Sequence, residues 1–419
     1  MLFLFLFVLF PLSLTTTATA STSSLPPVII VPGTAGSQLQ AKLNKPTTKH
    51  WYCDKTTKEW YTLWLSVPSL LPPLVNCWVD NILLLFDNTT KQYSNNLGVH
   101  TRTPGWGSTD SIEYLDPALK VGDSSYFHDL VQALVAVGLQ RNVSVRASPY
   151  DFRLAPTSAY DGTWKDLMQK LVEDTFQTNG NKRRVVLLSH SMGCLYTLWF
   201  LNQMDDTWKA KYIAAWYPTS GVWAGAGSGV VQMVSGDSSW IPGVHGSTVR
   251  QEQRSYESSL ILLPTQTVWG KDYPLVTTSQ RNYSSHEYGE LFAASGDFPL
   301  FLERFNLVAN LTANLVHPGV NVTHFYGSEV DTATSFVYDT TTQSDAAAFA
   351  GGPSHTITTK GDGTVPLKSL TSIESRWRTS SVSGVRPLEI KVYPGQTHGG
   401  LLKNTTFIQD VIEKLRDVV

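Results

Sequence analysis

Residues 185–201 read VVLLSHSMGCLYTLWFL, and this stretch decides the fold class. Its first four residues are apolar and predict a buried strand of a parallel sheet, while Leu195, Leu198 and Trp199 recur at helical spacing. Between strand and helix lies Ser-His-Ser-Met-Gly, with Ser191 at the corner. The pattern is typical of a tight turn that holds a nucleophilic serine above a sheet. The alternative is an ordinary surface serine at a helix start.

Two backbone N–H groups are candidates for stabilising the oxyanion that such a serine generates. Met192 follows the serine at the start of the predicted helix, where N–H groups have no helical partner. Residues 27–32, PVIIVP, predict an early buried strand, and Thr34 lies in the glycine-rich loop after it. The second donor is therefore expected at Thr34, although the loop is also consistent with a simple glycine turn.

Candidates for a base and a carboxylate follow the serine in the chain. Serine is a useful nucleophile at neutral pH only when a histidine takes its proton and a carboxylate orients that histidine. Asp362 lies in KGDGTVP after a predicted strand, and His398 lies in QTHGG after a strand predicted at residues 388–393. The order Ser191, Asp362, His398 is that of the α/β-hydrolase triad. The neighbouring His190 is expected to point elsewhere.

The composition limits the other function classes. The 419 residues suffice for one large α/β domain with insertions or for two domains, and 42% hydrophobic residues predict a sizeable core. A net charge of −2 leaves no basic surplus for phosphates, so no nucleic-acid partner is expected. We find no cluster with metal-ligand spacing and expect neither metal nor other cofactor.

Periodicity fades over residues 222–320, which predicts a cap or lid insertion. Asp151 and Arg153 are expected to brace a loop.

The amino terminus and the sequons indicate the secretory pathway. Residues 1–14 are almost entirely apolar, and Ala18-Thr19-Ala20 resembles a cleavage site, so residues 1–20 are predicted to be a signal peptide. The alternative is an uncleaved anchor. We expect the protein to be exported, either to lysosomes or to the extracellular fluid. Glycosylation is predicted at six Asn-x-Ser/Thr sites, namely Asn88, Asn142, Asn282, Asn310, Asn321 and Asn404.

An apolar segment without any charged residue runs from Trp60 to Val79. Its prolines exclude a regular transmembrane helix. Cys53 and Cys77 bracket it and are candidate disulfide partners, whereas Cys194, inside the predicted helix, is expected to be a buried free thiol. We expect the segment to dip into a lipid surface, although packing on the core is the alternative. The residues expected to face the lipid are Leu63, Trp64, Leu65, Leu70 and Leu71.

Several longer stretches resemble the lysosomal phospholipase A2 and lecithin–cholesterol acyltransferase family. They read PVIIVPGTAGSQLQAKLNKP, CWVDN, GVHTRTPGWGSTDSIEYLDP, VRASPYDFRLAP, SHSMGCLYTLWFL, EQRS with a following LLP, and GDGTVPLKS. The resemblance implies an α/β-hydrolase domain over residues 26–419, with a disulfide-tied membrane-binding subdomain at 50–100 and a lid. It also implies the triad, the two oxyanion amides and the Cys53–Cys77 disulfide named above. This chain departs from the family at two points. Thr34 stands where relatives carry a larger or acidic residue, and no cysteines flank Asp362.

The residues and the resemblance together predict a serine phospholipase and O-acyltransferase. Such an enzyme cleaves fatty acyl esters of glycerophospholipids through an acyl-enzyme and passes the acyl group to water or to a lipid alcohol. Its partner would be a phospholipid membrane or a lipoprotein surface, and we expect a monomer. Two alternatives are a neutral-lipid esterase or lipase and a catalytically silent lipid-binding protein with the same fold.

Overall fold

A parallel β-sheet forms the centre of the protein in a computed structural model. The structure describes residues 25–418 apart from positions 121, 240, 242, 297, 299, 339–340, 342–343 and 379–386, so the expected signal peptide at 1–20 lies outside the described residues. Within the described part, the central sheet has six strands, all parallel. In order across the sheet they are Glu389–Pro394, Thr323–Ser328, Ile213–Thr219, Val185–His190, Val28–Val31 and Val145–Ala147.

Both faces of the central sheet are covered, which explains why its strands are apolar without alternation. Successive side chains of a strand point to opposite faces. Val28 and Ile30 therefore pack into one core, and Ile29 and Val31 into the other. The first core also contains residues of the helices His128–Ala136 and Thr405–Asp417, and the second those of Trp164–Thr178, Met192–Gln203 and Asp206–Tyr212. The predicted alternation of strands and helices is confirmed.

Residues 50–100, called the first insertion below, form a small subdomain around a disulfide. Cys53 and Cys77 are bonded, with their Cα atoms 5.4 Å apart. Two of its strands pair on either side of Leu39–Leu43. Its elements are Tyr61–Trp64, Val67–Leu70, Val75–Ile82, Leu84–Asp87, Gln92–Asn95 and Val99–Arg102. Among the described residues, no helix has both the length and the apolar character needed to cross a membrane.

The prediction of which residues of the first insertion face lipid is wrong for three of the five residues. Leu63, Trp64 and Leu70 are buried. Trp64 donates its indole N–H to the carbonyl of Ala35 at 2.7 Å, so its ring is a core anchor. Leu65 is partly buried, and Leu71 is exposed as expected. Tyr61–Trp64 is a strand paired with Leu39–Leu43, and both of its faces are covered where Leu63 and Trp64 lie, so neither side chain can reach a lipid surface. The exposed large apolar side chains of the first insertion are Trp51, Val67, Leu71, Leu74, Leu85 and Leu97.

Residues 222–320, called the second insertion below, are mainly short helices. The insertion also supplies two short strands to a four-stranded sheet with Val330–Val337 and His355–Gly361. Its helices are Gly227–Val234, Gly246–Ser255, Glu257–Ile261, Gln266–Trp269, Tyr288–Ala294, Phe301–Val308 and Asn310–Ala313, and its strands are Val276–Thr277 and Asn282–Tyr283. The remaining described helical elements are Asp110–Glu113, Gly122–Ser124, Ser285–Glu287, Asp345–Ala350, Leu367–Leu370, Glu374–Arg378 and Gly400–Lys403.

The bracing role predicted for Asp151 and Arg153 is confirmed. The Arg153 guanidinium is buried and binds both carboxylate oxygens of Asp151, at 2.6 and 2.8 Å. It also donates to the carbonyl of Ile82 and to the side chains of Asn95 and Thr101. A single guanidinium therefore ties the loop after a central strand to the first insertion.

The predicted glycosylation sites differ in exposure. Asn88, Asn142, Asn282 and Asn310 are exposed. Asn321 and Asn404 are partly buried and already hydrogen-bonded, since Asn321 donates to the carbonyl of Ala214 and Asn404 caps the helix Thr405–Asp417. Glycosylation at all six stays a prediction, and the exposed four are the sites where a glycan meets least obstruction.

Candidate active site

Ser191 lies at the corner between the central strand Val185–His190 and the helix Met192–Gln203. Its φ of 56° and ψ of −127° fall in a strained backbone region that a non-glycine residue adopts only when its surroundings impose it. The restraint is visible, because the Ser191 N–H donates to the carbonyl of Thr219 on the next strand at 2.9 Å. This turn raises the hydroxyl at the carboxyl end of the sheet, as the sequence predicts.

Steric contacts require small residues in this turn. A Cβ on Gly193 would lie 2.3 Å from the carbonyl oxygen of Pro32, so only glycine fits there. Ser189, which replaces the usual first glycine, is buried, and its hydroxyl accepts the indole N–H of Trp216 at 2.8 Å. The larger residue is thus accommodated by a polar partner. Cys194 is a buried free thiol as predicted, and burial raises its pKa to about 12, which makes it a poor nucleophile.

Asp362 and His398 are in direct contact. Nδ1 of His398 lies 2.7 Å from Oδ2 of Asp362. The other carboxylate oxygen accepts the backbone N–H groups of Val365 at 2.7 Å and Thr364 at 3.1 Å. Burial alone would raise the pKa of Asp362, but His398 and these N–H groups outweigh it and hold the pKa below its ordinary value. The carboxylate is therefore ionised and orients the imidazole.

The second imidazole nitrogen of His398 is available for proton transfer. Nε2 is buried and has no hydrogen-bond partner within the described residues. Because Nδ1 is held by Asp362, Nε2 is the nitrogen that can accept a proton from a serine hydroxyl.

The two expected oxyanion residues are neighbours in the structure. The Thr34 hydroxyl lies 3.4 Å from the sulfur of Met192. No hydrogen bond from the backbone N–H of either residue is found within the described part of the chain. Gly33 packs directly on the nucleophile, since a Cβ at that position would lie 2.7 Å from the Cβ of Ser191. The glycine loop is thus pressed against the serine, as an oxyanion loop requires.

Tyr126 and His190 form a polar link behind the site that the sequence analysis missed. His190 is buried, which lowers its pKa to about 3 and keeps it neutral. Its Nε2 lies 3.1 Å from the carbonyl oxygen of His398 and therefore carries the proton, so Nδ1 accepts from the Tyr126 hydroxyl at 2.6 Å. The same hydroxyl accepts the N–H of Gly33 at 3.1 Å. This chain connects the oxyanion loop to the histidine loop.

The covered parallel sheet and the serine turn after its central strand define an α/β-hydrolase fold. The described residues contain no group of three or more His, Cys, Asp or Glu side chains arranged to hold a metal ion. A solved structure of the Tle4–Tli4 complex has the same fold, with a TM-score of 0.55 and 12% identity, and the match covers 94% of this chain and 99% of that one.

The chain belongs to the lecithin:cholesterol acyltransferase family, whose model matches residues 60–303. It is 37% identical to the lysosomal phospholipase A and acyltransferase of Canis lupus familiaris, over 91% of this chain and 89% of that protein. The Homo sapiens protein of the same name is 36% identical over 91% of this chain and 88% of its own length. The phosphatidylcholine-sterol acyltransferase of Gallus gallus is 34% identical, over 88% and 86% of the two chains. The resemblance noted in the sequence is confirmed.

Proposed function

We propose that the protein is a serine phospholipase A and O-acyltransferase acting on glycerophospholipids. The observation that carries the proposal is the Asp362–His398 pair, joined at 2.7 Å, in a chain whose serine turn has the strained geometry of a nucleophile. Relatives named for phospholipase A and acyltransferase activity match about nine-tenths of the chain, which supports the substrate class.

The proposed mechanism has two half-reactions. Ser191 Oγ attacks the ester carbonyl while His398 Nε2 takes its proton, and the N–H groups of Thr34 and Met192 stabilise the oxyanion. The tetrahedral intermediate collapses, the lysophospholipid leaves with the proton from His398, and an acyl-Ser191 ester remains. Water or a lipid alcohol then gives its proton to His398 and attacks the acyl-enzyme. Collapse releases a fatty acid or an acylated alcohol and restores the serine hydroxyl.

The first experiment measures both products at once. Phosphatidylcholine vesicles containing ceramide or a long-chain alcohol are incubated with the wild type and with Ser191→Ala. Free fatty acid and acylated acceptor are quantified, with triolein emulsions as the neutral-lipid comparison. We expect phospholipid cleavage to exceed triolein cleavage, and Ser191→Ala to lose at least about 10⁴-fold. Preferred triolein cleavage would indicate a neutral-lipid lipase, and equal inactivity of both proteins on all esters would indicate a silent lipid-binding protein.

The side chains proposed to contact lipid are Trp51, Leu71 and Leu74, and only Leu71 belongs also to the set expected from the sequence. Trp51 is 94% exposed, and Leu71 and Leu74 are 47% and 44% exposed. Exposed apolar side chains with a tryptophan among them are typical of surfaces that enter a lipid interface. We propose that these residues insert into the outer layer of a membrane or lipoprotein.

A matched pair of variants tests this contact. Trp51→Asp combined with Leu71→Asp is expected to reduce co-sedimentation with phosphatidylcholine vesicles at least about tenfold, because two apolar contacts are replaced by charges. Hydrolysis of a soluble short-chain ester should be unchanged. Leu119→Asp, which alters an exposed leucine outside the insertion, is the control. Equal sedimentation of the double variant and the control would exclude the contact.

The proposed location is the secretory pathway, ending in lysosomes or the extracellular fluid. A disulfide persists in oxidising compartments, and relatives named lysosomal support this destination.

A further inference from the structure

A cavity lies where the first and second insertions meet. It has a volume of about 440 Å³. Its described walls come from the strand Leu84–Asp87 of the first insertion, from the helix Gly246–Ser255 of the second, and from Phe298, Leu300 and Arg304. None of the residues proposed for catalysis lines it. Nothing in the proposed mechanism uses this cavity.

The charged residues in the described lining of the cavity are all basic. Three arginines, Arg250, Arg254 and Arg304, line it, and its described lining contains no aspartate or glutamate. Among the described residues, no carboxylate lies within ion-pair distance of Arg250 or Arg304. Two guanidinium groups, those of Arg250 and Arg304, therefore face one space, and no described residue of its lining is acidic.

Arg304 is the most informative of the three, because it is buried and has only neutral hydrogen-bond partners. Its Nε donates to the Tyr93 hydroxyl at 3.0 Å, and its Nη2 donates to the carbonyls of Arg254 and Ser255 at 2.7 and 3.0 Å. Within the described residues Nη1 makes no hydrogen bond. The nearby carboxylate of Glu257 lies beyond ion-pair distance of Arg304. Its two oxygens accept from the backbone N–H of Ala155 and from the hydroxyl of Ser158 instead.

Arg250 is held more loosely. Its only hydrogen bond within the described residues is a long one, 3.4 Å, from Nη1 to the carbonyl of Val234. The guanidinium therefore keeps most of its donors for a ligand. A buried or partly buried charge without a counter-ion is costly, and an anion that enters the cavity removes that cost. Guanidinium groups bind phosphate and carboxylate through paired hydrogen bonds.

The rest of the described lining is partly apolar, with Leu84, Phe86, Phe298 and Leu300, and partly polar, with Ser247, Gln251 and Ser255. Cationic and apolar walls in one cavity fit a molecule that has an anionic head and a hydrocarbon chain. We propose that this cavity binds the phosphate head of a single-chain amphiphile, with Arg250 and Arg304 as its principal ligands. Because both insertions contribute walls, such a ligand would tie them together.

The test uses n-dodecyl phosphate, which has no carboxylic ester and is therefore not a substrate for the proposed serine chemistry. Binding to the full-length protein is measured by calorimetry. Inorganic phosphate and a neutral dodecyl glycoside separate the contributions of head and chain. We expect saturable binding of dodecyl phosphate, at least tenfold tighter than either probe.

Two variants assign the binding to the cavity. Arg250→Gln should weaken dodecyl phosphate binding at least about tenfold, because a charge-assisted contact is lost. Arg304→Lys keeps the charge but loses the Nη1 donors, so a smaller loss is expected. Arg184→Gln, at an exposed arginine with one long carbonyl bond, is the matched control. Unchanged affinity of Arg250→Gln would overturn the proposal. Equal binding of inorganic phosphate would overturn the amphiphile, and equal binding of the neutral glycoside would overturn the anion site.

Discussion

Glu252→Gln offers the sharpest test of the buried charges in the second insertion. Glu252 lies in the helix Gly246–Ser255 with only 2% of its surface exposed, and its Oε2 has no hydrogen-bond partner among the described residues. Burial raises its pKa from an ordinary 4.5 to about 8, although the Tyr256 hydroxyl and the Arg153 charge act in the opposite direction. Glu252 is therefore neutral under acidic conditions and ionises only when the pH becomes alkaline.

The sign of the effect follows from proton linkage. Below pH 4.5 the carboxyl is protonated in the folded and the unfolded chain, so its contribution to stability is fully present. Between pH 4.5 and about 8 the unfolded chain loses the proton while the folded chain keeps it. The free energy of unfolding therefore falls by about 1.4 kcal/mol per pH unit, which sums to roughly 5 kcal/mol across this window. For a chain of 419 residues this corresponds to a decrease in Tm of about 5 °C.

Glutamine has nearly the same shape and does not titrate. We therefore expect the Tm of Glu252→Gln to resemble that of the wild type near pH 5 and to exceed it by about 5 °C near pH 8. Scanning calorimetry at several pH values between these limits measures the difference. Glu290→Gln, at an exposed glutamate in the same insertion, is the control and should follow the wild type. Parallel Tm profiles of Glu252→Gln and the wild type would refute the reasoning.

Three further predictions concern the proposed site and the disulfide. Asp362→Asn should lower kcat on a soluble ester about 10⁴-fold with unchanged circular dichroism, because the His398 tautomer is no longer fixed. Tyr126→Phe removes the link behind the site and should lower the free energy of unfolding by about 1–2 kcal/mol and kcat about tenfold, as followed by urea titration and ester kinetics. Replacing Cys53 and Cys77 by serine opens a loop of sequence separation 24 and should cost about 3 kcal/mol in the same titration.

Much of the fold was predictable because its signals are local. The apolar run at 185–188, the turn at Ser191 and the helix after it are encoded within one stretch, and the structure reproduces all three. The contact between Asp362 and His398 was predictable because the chain order Ser191, Asp362, His398 is that of the α/β-hydrolase triad. Neither prediction required any knowledge of distant packing.

The exposed side of the first insertion was not predictable, because composition does not fix orientation. Trp64 and Trp51 are both tryptophans near the same disulfide, yet one is a core anchor and the other is almost fully exposed. The difference lies in strand pairing with Leu39–Leu43, a partner some twenty residues away. Tyr126 was missed for a related reason, because its two partners, Gly33 and His190, lie more than sixty residues from it in the chain and leave no pattern around it.

Buried arginines join the first insertion to the rest of the molecule. Arg153 binds three groups of the first insertion, and its own carbonyl accepts the N–H of Ser258 in the second. Arg304 belongs to the second insertion and makes a similar connection. Its guanidinium donates to the Tyr93 hydroxyl of the first insertion and to the carbonyls of Arg254 and Ser255 in the second. Separating the first insertion from Arg153 and Arg304 would break four charge-assisted hydrogen bonds at once, each worth about 1.5–3 kcal/mol. A lipid surface bound at the contact proposed for the first insertion would therefore act on the second as well, because the two are bonded at this junction.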